Sequence, residues 1–118
     1  MPNFFVTAKL DSGASKHYIR PEDSKCLTNI TNVPATFVGF PDKKVIEITK
    51  QGDLTLSKAL GHEAQTGHIL NDLKSATLLS AGQFCDDNCT VILNKKKAII
   101  QKDNRTILQG PRNKRDGL

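Results

Sequence analysis

The chain has 118 residues, which suits one compact domain and leaves no room for two lobes of ordinary size. With 37% hydrophobic but only 5% aromatic residues, its core must be built from Leu, Ile and Val, and so thin a core favours self-association. Lys and Arg outnumber Asp and Glu by 17 to 12, no apolar run approaches the ~20 residues that cross a bilayer as a helix, and Cys26, Cys85 and Cys89 cannot all pair within one chain; such sparse cysteine usage fits a reducing compartment better than a disulfide scaffold, and a soluble, non-secreted protein with free thiols is expected.

In chain order, residues 4–10 are rich in aromatic and β-branched side chains and run into Asp11-Ser12-Gly13, which predicts a strand ending in a tight turn. His17-Tyr18-Ile19 predicts a second strand, broken by Arg20-Pro21-Glu22-Asp23. Residues 36–40 and 45–49 flank the turn tetrapeptide Pro41-Asp42-Lys43-Lys44 and predict a projecting hairpin. Gln51-Gly52-Asp53 reads as its end, Leu54-Thr55-Leu56 as a further short strand, and His62, Gln65 and Gly67 as parts of a polar connection. Ser80-Ala81-Gly82-Gln83-Phe84-Cys85 carries the cap and small residues of one short helix. Residues 89–93 predict a strand, and residues 98–101 pair with 106–108 across Lys102-Asp103-Asn104-Arg105. The expected class is all-β, a closed β-barrel or sandwich with one short helix, over residues 1–109, followed by a basic linker at 110–118.

The segment with most chemical content is Leu10-Asp11-Ser12-Gly13-Ala14-Ser15. An acid between an apolar strand and a Ser-Gly turn is placed at a protected edge, where the Gly13 amide is available to its carboxylate and the Ser12 hydroxyl to neighbouring backbone. Asp-Ser-Gly alone is a common turn, so the surrounding residues carry the argument.

Leu10-Asp11-Ser12-Gly13-Ala14-Ser15-Lys16-His17 resembles the active-site loop of retropepsins in its copia-type retrotransposon form, and Leu78-Leu79-Ser80-Ala81-Gly82-Gln83-Phe84-Cys85 is similar to the run that follows the second apolar signature of those proteases. The order and spacing of the two motifs extend the likeness over most of the chain, and Gly110-Pro111-Arg112 is similar to the stretch joining protease to integrase. Two positions depart from the retroviral pattern, Ser12 in place of Thr and Ser80 in place of Gly.

The resemblance implies an aspartic endopeptidase that processes its own polyprotein, in the cytoplasm and inside virus-like particles, without metal or cofactor. Asp11, Ser12 and Gly13 would form the catalytic loop. Ala14, Ser15, Leu78 and Leu79 would line substrate pockets, and Val38, Gly39, Phe40, Pro41, Asp42, Lys43, Lys44 and Val45 would form a flap over an extended peptide. Nothing else in the chain repeats Asp-Ser-Gly, so the second acid must come from another copy. The expected active form is a homodimer whose paired Asp11 carboxylates share one proton.

Other chemistries fit less well. His17, His62 and His68 with Cys85 and Cys89 lack the paired spacing of a metal site, so no metal is expected, and His17 reads as a structural histidine. Lys95, Lys96, Lys97, Lys102, Arg105, Arg112, Lys114 and Arg115 read as a solvated turn and linker in preference to an RNA contact. Two competing classes are a non-catalytic dimerisation or peptide-binding module on the same fold and a small basic RNA-binding β-domain.

Overall fold

A computed structural model describes residues 8–39, 45–71, 73 and 76–111, with the side chain of residue 46 excepted. The chain is mostly β. Strands β1 (Ala8–Asp11), β2 (His17–Ile19), β3 (Leu27–Gly39), β4 (Val45–Leu54), β5 (Thr66–Ile69) and β6 (Thr77–Ser80) form one sheet, ordered β1-β6-β2-β5-β4-β3. Helix α1 (Ala81–Asp86) leads into β7 (Thr90–Leu93), β8 (Lys97–Lys102) and β9 (Arg105–Pro111), which form a three-stranded antiparallel sheet. Among the described residues both sheets are open, because β1 and β3 end the larger one without pairing to each other. The closed barrel expected from the sequence is therefore replaced by two sheets packed through a shared core.

That core follows from strand alternation. One register row crosses the larger sheet through Leu78, Tyr18, His68 and Gln51, all on one face. The neighbouring residues Leu79, Ile19, Ile69 and Leu54 go to the other face. There Leu10, Leu79 and Phe84 of the first sheet and α1 meet Val91, Ile100 and Leu108 of the second sheet. Tyr18, Ile48 and Leu70 form a smaller cluster on the opposite face, with Ala14, Val38 and Leu78 against it.

Three assignments change. Gly52 does not end a strand; β4 runs through it to Leu54, and a Cβ there would lie 3.0 Å from the Leu27 Cβ, so glycine is what lets β3 and β4 approach. The polar connection around Gly67 is β5, which packs under Ile19, where a Cβ on Gly67 would come within 2.9 Å of the Ile19 Cγ1. Leu56 follows the strand as a loop residue that packs into the core. The break after Ile19 is a 3-10 turn at Pro21–Cys26. β9 continues to Pro111, which pairs with Lys97, so strand pairing extends past residue 109; residues 112–118 lie outside the described residues, as do residues 1–7. The turn into β9 places Asp103 and Asn104 at positive φ, 52° and 64°, the geometry favoured by a two-residue hairpin loop.

Candidate functional site

The strand order β1-β6-β2 sets the site. β6 lies between the two strands that flank the Asp11 loop, parallel to β1 and antiparallel to β2, so residues 12–16 must cross the end of β6. That end is Ser80, in register with Asp11. Asp11 is half-buried at the last position of β1, and the Gly13 N–H donates to its Oδ1 at 2.8 Å. The Ala14 N–H reaches back to the Asp11 carbonyl at 3.4 Å, closing the turn, while Ser12 and Gly13 stay exposed.

Ser80 is completely buried and holds the loop from below. Its hydroxyl donates to the Ala14 carbonyl at 2.7 Å and accepts from the Gln83 N–H at 3.0 Å, capping α1. A glycine at this position would leave the Ala14 carbonyl without that donor, so the departure at residue 80 brings in a bond of its own. The Ser80 N–H donates to the Nδ1 of His17, 2.8 Å away, and the His17 Nε2 lies 2.7 Å from the Ala64 carbonyl. Because Nδ1 accepts, the ring proton must be on Nε2, which donates to Ala64. His17 is fully buried against Phe84, with ring centroids 4.8 Å apart, and burial holds its proton affinity below the ordinary imidazole value.

Beside the loop, a groove of about 620 Å³ runs between β3 and the face that carries Tyr18, Ile48, Gln51 and His68. Val33, Pro34, Thr36, Phe37, Val38 and Gly39 form its β3 wall, and Ser15 and Lys16 form the wall contributed by the Asp11 loop. The groove meets this loop at Ser15 and Lys16 and not at Asp11 itself. The Ser15 hydroxyl lies 2.7 Å from the Tyr18 hydroxyl, which ties the loop to the groove floor. A second, more polar recess of about 460 Å³ shares Ser15, Lys16, Gln51 and His68 and extends to Glu63, Gln83 and Asp86. Burial, followed by the charges of Lys16 and His17, lowers the pKa of His68 to about 4, so it is neutral at the junction of the two recesses at physiological pH.

Of the residues expected to contact substrate, Ser15, Val38 and Gly39 line the groove. Ala14 and Leu78 pack in the cluster beneath it, next to Tyr18 and Ile48. Leu79 faces the other way, into the core between the sheets, because it follows Leu78 on a strand. Val45 is 63% exposed opposite Gly39, and Phe40, Pro41, Asp42, Lys43 and Lys44 lie outside the described residues. Lys16, Tyr18, Gln51 and His68 are groove residues that the sequence did not assign to a substrate site; for Tyr18 and His68 the signal was the alternation in β2 and β5, hidden by how short those strands are. Among the described residues, no group of three His, Cys, Asp or Glu side chains is placed to hold a metal ion, and no helix is long and apolar enough to cross a membrane. Burial raises the thiol pKa values of Cys26 and Cys89. Compared with protein-family models, curated proteins and solved structures, the chain has no match.

Proposed function

We propose that the chain is half of a retropepsin-like aspartic endopeptidase that functions as a homodimer, each copy supplying Asp11. The observation that carries this reading is the way the acid is held: a carboxylate at a strand end, bonded by the Gly13 amide, in a loop fastened to buried Ser80. A turn aspartate that merely caps its own backbone needs no such buried support. The adjoining groove, with a strand along one wall, suits an extended peptide that adds hydrogen bonds to backbone.

In the dimer, two Asp11 carboxylates brought face to face share one proton, since both cannot stay ionised at close range. The ionised member takes a proton from a water whose oxygen attacks the scissile carbonyl carbon. The protonated member hydrogen-bonds the carbonyl oxygen, and proton transfer to the amide nitrogen lets the C–N bond break, yielding an acid and an amine. The chemistry proceeds without an acyl-enzyme. The resemblance of the two motifs to copia-type proteases makes the chain's own polyprotein the proposed substrate, processed in cytoplasmic particles.

The test is peptide cleavage at mildly acid pH by the wild type and by Asp11→Asn, with and without a pepstatin-type inhibitor. The expected result is inhibitor-sensitive cleavage by the wild type and a loss of about 10³-fold or more in the variant, whose neutral amide cannot act as the base. Equal cleavage by both proteins, or none by the wild type at any concentration, would remove the reading.

A further inference from the structure

We propose that His17 is a positioning residue for the Asp11 loop, a neutral imidazole clasped between Ser80 and Ala64 that fixes how the loop is hung. The proposal rests on the protease reading and adds to it a residue that never touches substrate.

The clasp is a continuous run of bonds. The Ala64 carbonyl accepts from the His17 Nε2 at 2.7 Å, the His17 Nδ1 accepts from the Ser80 N–H at 2.8 Å, and the Ser80 hydroxyl donates to the Ala14 carbonyl at 2.7 Å. Ala14 closes the turn onto the Asp11 carbonyl, and Gly13 holds the carboxylate. A serine hydroxyl has one proton, so after donating to Ala14 and accepting from Gln83 its rotamer is set. The far end of the loop is fastened to the same support: the His17 N–H donates to the Gln83 Oε1 at 2.8 Å, and the Gln83 Nε2 donates to the carbonyls of Glu63 and Thr66. An apolar side chain would fill the same volume against Phe84 but would strand the buried Ser80 N–H and Ala64 carbonyl.

The clasp works in only one protonation state. A proton added to Nδ1 turns the acceptor into a donor facing the Ser80 N–H, so the bond opens as the imidazole becomes charged. Burial lowers the proton affinity of this ring and the Ala64 carbonyl raises it; Phe84 of α1 packs against it, and His68 of β5 lies near enough that its own proton affinity registers His17. Among the described residues, the ring nitrogens bond to the Ala64 carbonyl and the Ser80 N–H and to no carboxylate.

Two substitutions separate the two ends of the clasp. His17→Asn sets a carbonyl oxygen where Nδ1 was and keeps the acceptor for Ser80, whereas His17→Gln carries an amide nitrogen toward Ala64 and offers Ser80 nothing. His17→Gln should lose about 30-fold in kcat with KM within about threefold, and His17→Asn should stay within about fivefold of wild type while losing the part of the acid limb due to the imidazole. In the full chain, ¹⁵N NMR should find His17 as the Nε2–H tautomer, and amide exchange at Ser80 should accelerate about 100-fold in His17→Gln but not in His17→Asn. Equal impairment of the two variants, an effect on KM alone, or an Nδ1–H tautomer would overturn the proposal. If the wild type cleaves no peptide the protease reading fails, and the tautomer and Ser80 exchange still decide the clasp. If His17→Gln does not fold, Ser80→Ala must show the kcat loss, since it frees the Ala14 carbonyl but keeps the backbone bond to His17; full activity in that variant would also overturn the proposal.

Discussion

The Asp11 loop joins two short strands, β1 and β2, whereas the β3–β4 arm is made of the two longest described strands, and the two regions are built in opposite ways. The loop is surface chain suspended from buried groups: Ser80, His17 and Phe84 are all 0% exposed beneath it. The hairpin leaves Phe37 66% and Val45 63% exposed and shifts register between Thr28 and Thr31 and again between Asn32 and Thr36. Irregular pairing of that kind bends and twists an arm. The difference is one of function under the proposed reading: an acid that must not move is tied to the core, and an arm that must accommodate a peptide is left adaptable.

The contrast is broken most directly at Phe84. Phe84→Ala should cost about 3–5 kcal/mol, because the ring supports the core and the His17 imidazole together. Chemical denaturation would read this loss, and a cost under about 1 kcal/mol would mean the loop does not depend on the core beneath it. Thr77 is the next test. Its buried hydroxyl donates to the Asp23 carboxylate at 2.6 Å and accepts from the Arg20 N–H, joining β6 to the segment after β2. Thr77→Val should cost about 1–3 kcal/mol, and an unchanged midpoint would show that this junction carries no stability.

Acid supplies a third test. The folded chain holds His17 and His68 below the ordinary imidazole value of 6.5, His68 at about 4, so the unfolded chain binds more protons in that window. Stability present above pH 6.5 should fall as pH drops toward 4, and His68→Gln should flatten the fall measured by thermal melts. A melting temperature that rises over the same interval would reverse the assigned sign. The smallest stability effect belongs to the hairpin: Phe37→Ser should change stability by no more than about 0.5 kcal/mol. If the arm holds substrate, the same variant should raise KM several-fold in the peptidase assay; unchanged KM would assign the arm another purpose.

Much of this was legible in the residues. The short helix with its Ser80 cap and the β8–β9 turn were written in a capping serine and in Asp103-Asn104, and of the strand expected over residues 4–10 the described part, residues 8–10, is strand and runs on to Asp11. The first half of β3 was not. It is an edge strand whose Thr28, Asn29, Thr31 and Asn32 face solvent and whose Pro34 removes a donor that an edge can spare, so neither alternation nor propensity marks it. Gly52 and Gly67 read as breaks because a sequence shows the missing side chain and not the neighbour that requires it missing. At the site, Asp11, Gly13 and Ser15 were readable from their local pattern. The clasp from Ala64 through His17 to Ser80 was not, since its members are 47 and 63 residues apart and meet only once the strands are ordered.

The account depends on each chain carrying half of a reaction centre, and mixing tests that most directly. Wild type combined with increasing Asp11→Asn, in a peptidase assay over a range of total concentration, should lose activity faster than simple dilution explains, as inactive mixed pairs form. Specific activity of the wild type alone should fall on dilution as pairs separate. Activity that scales linearly with wild-type concentration and ignores the added variant would show a self-sufficient chain and contradict the account.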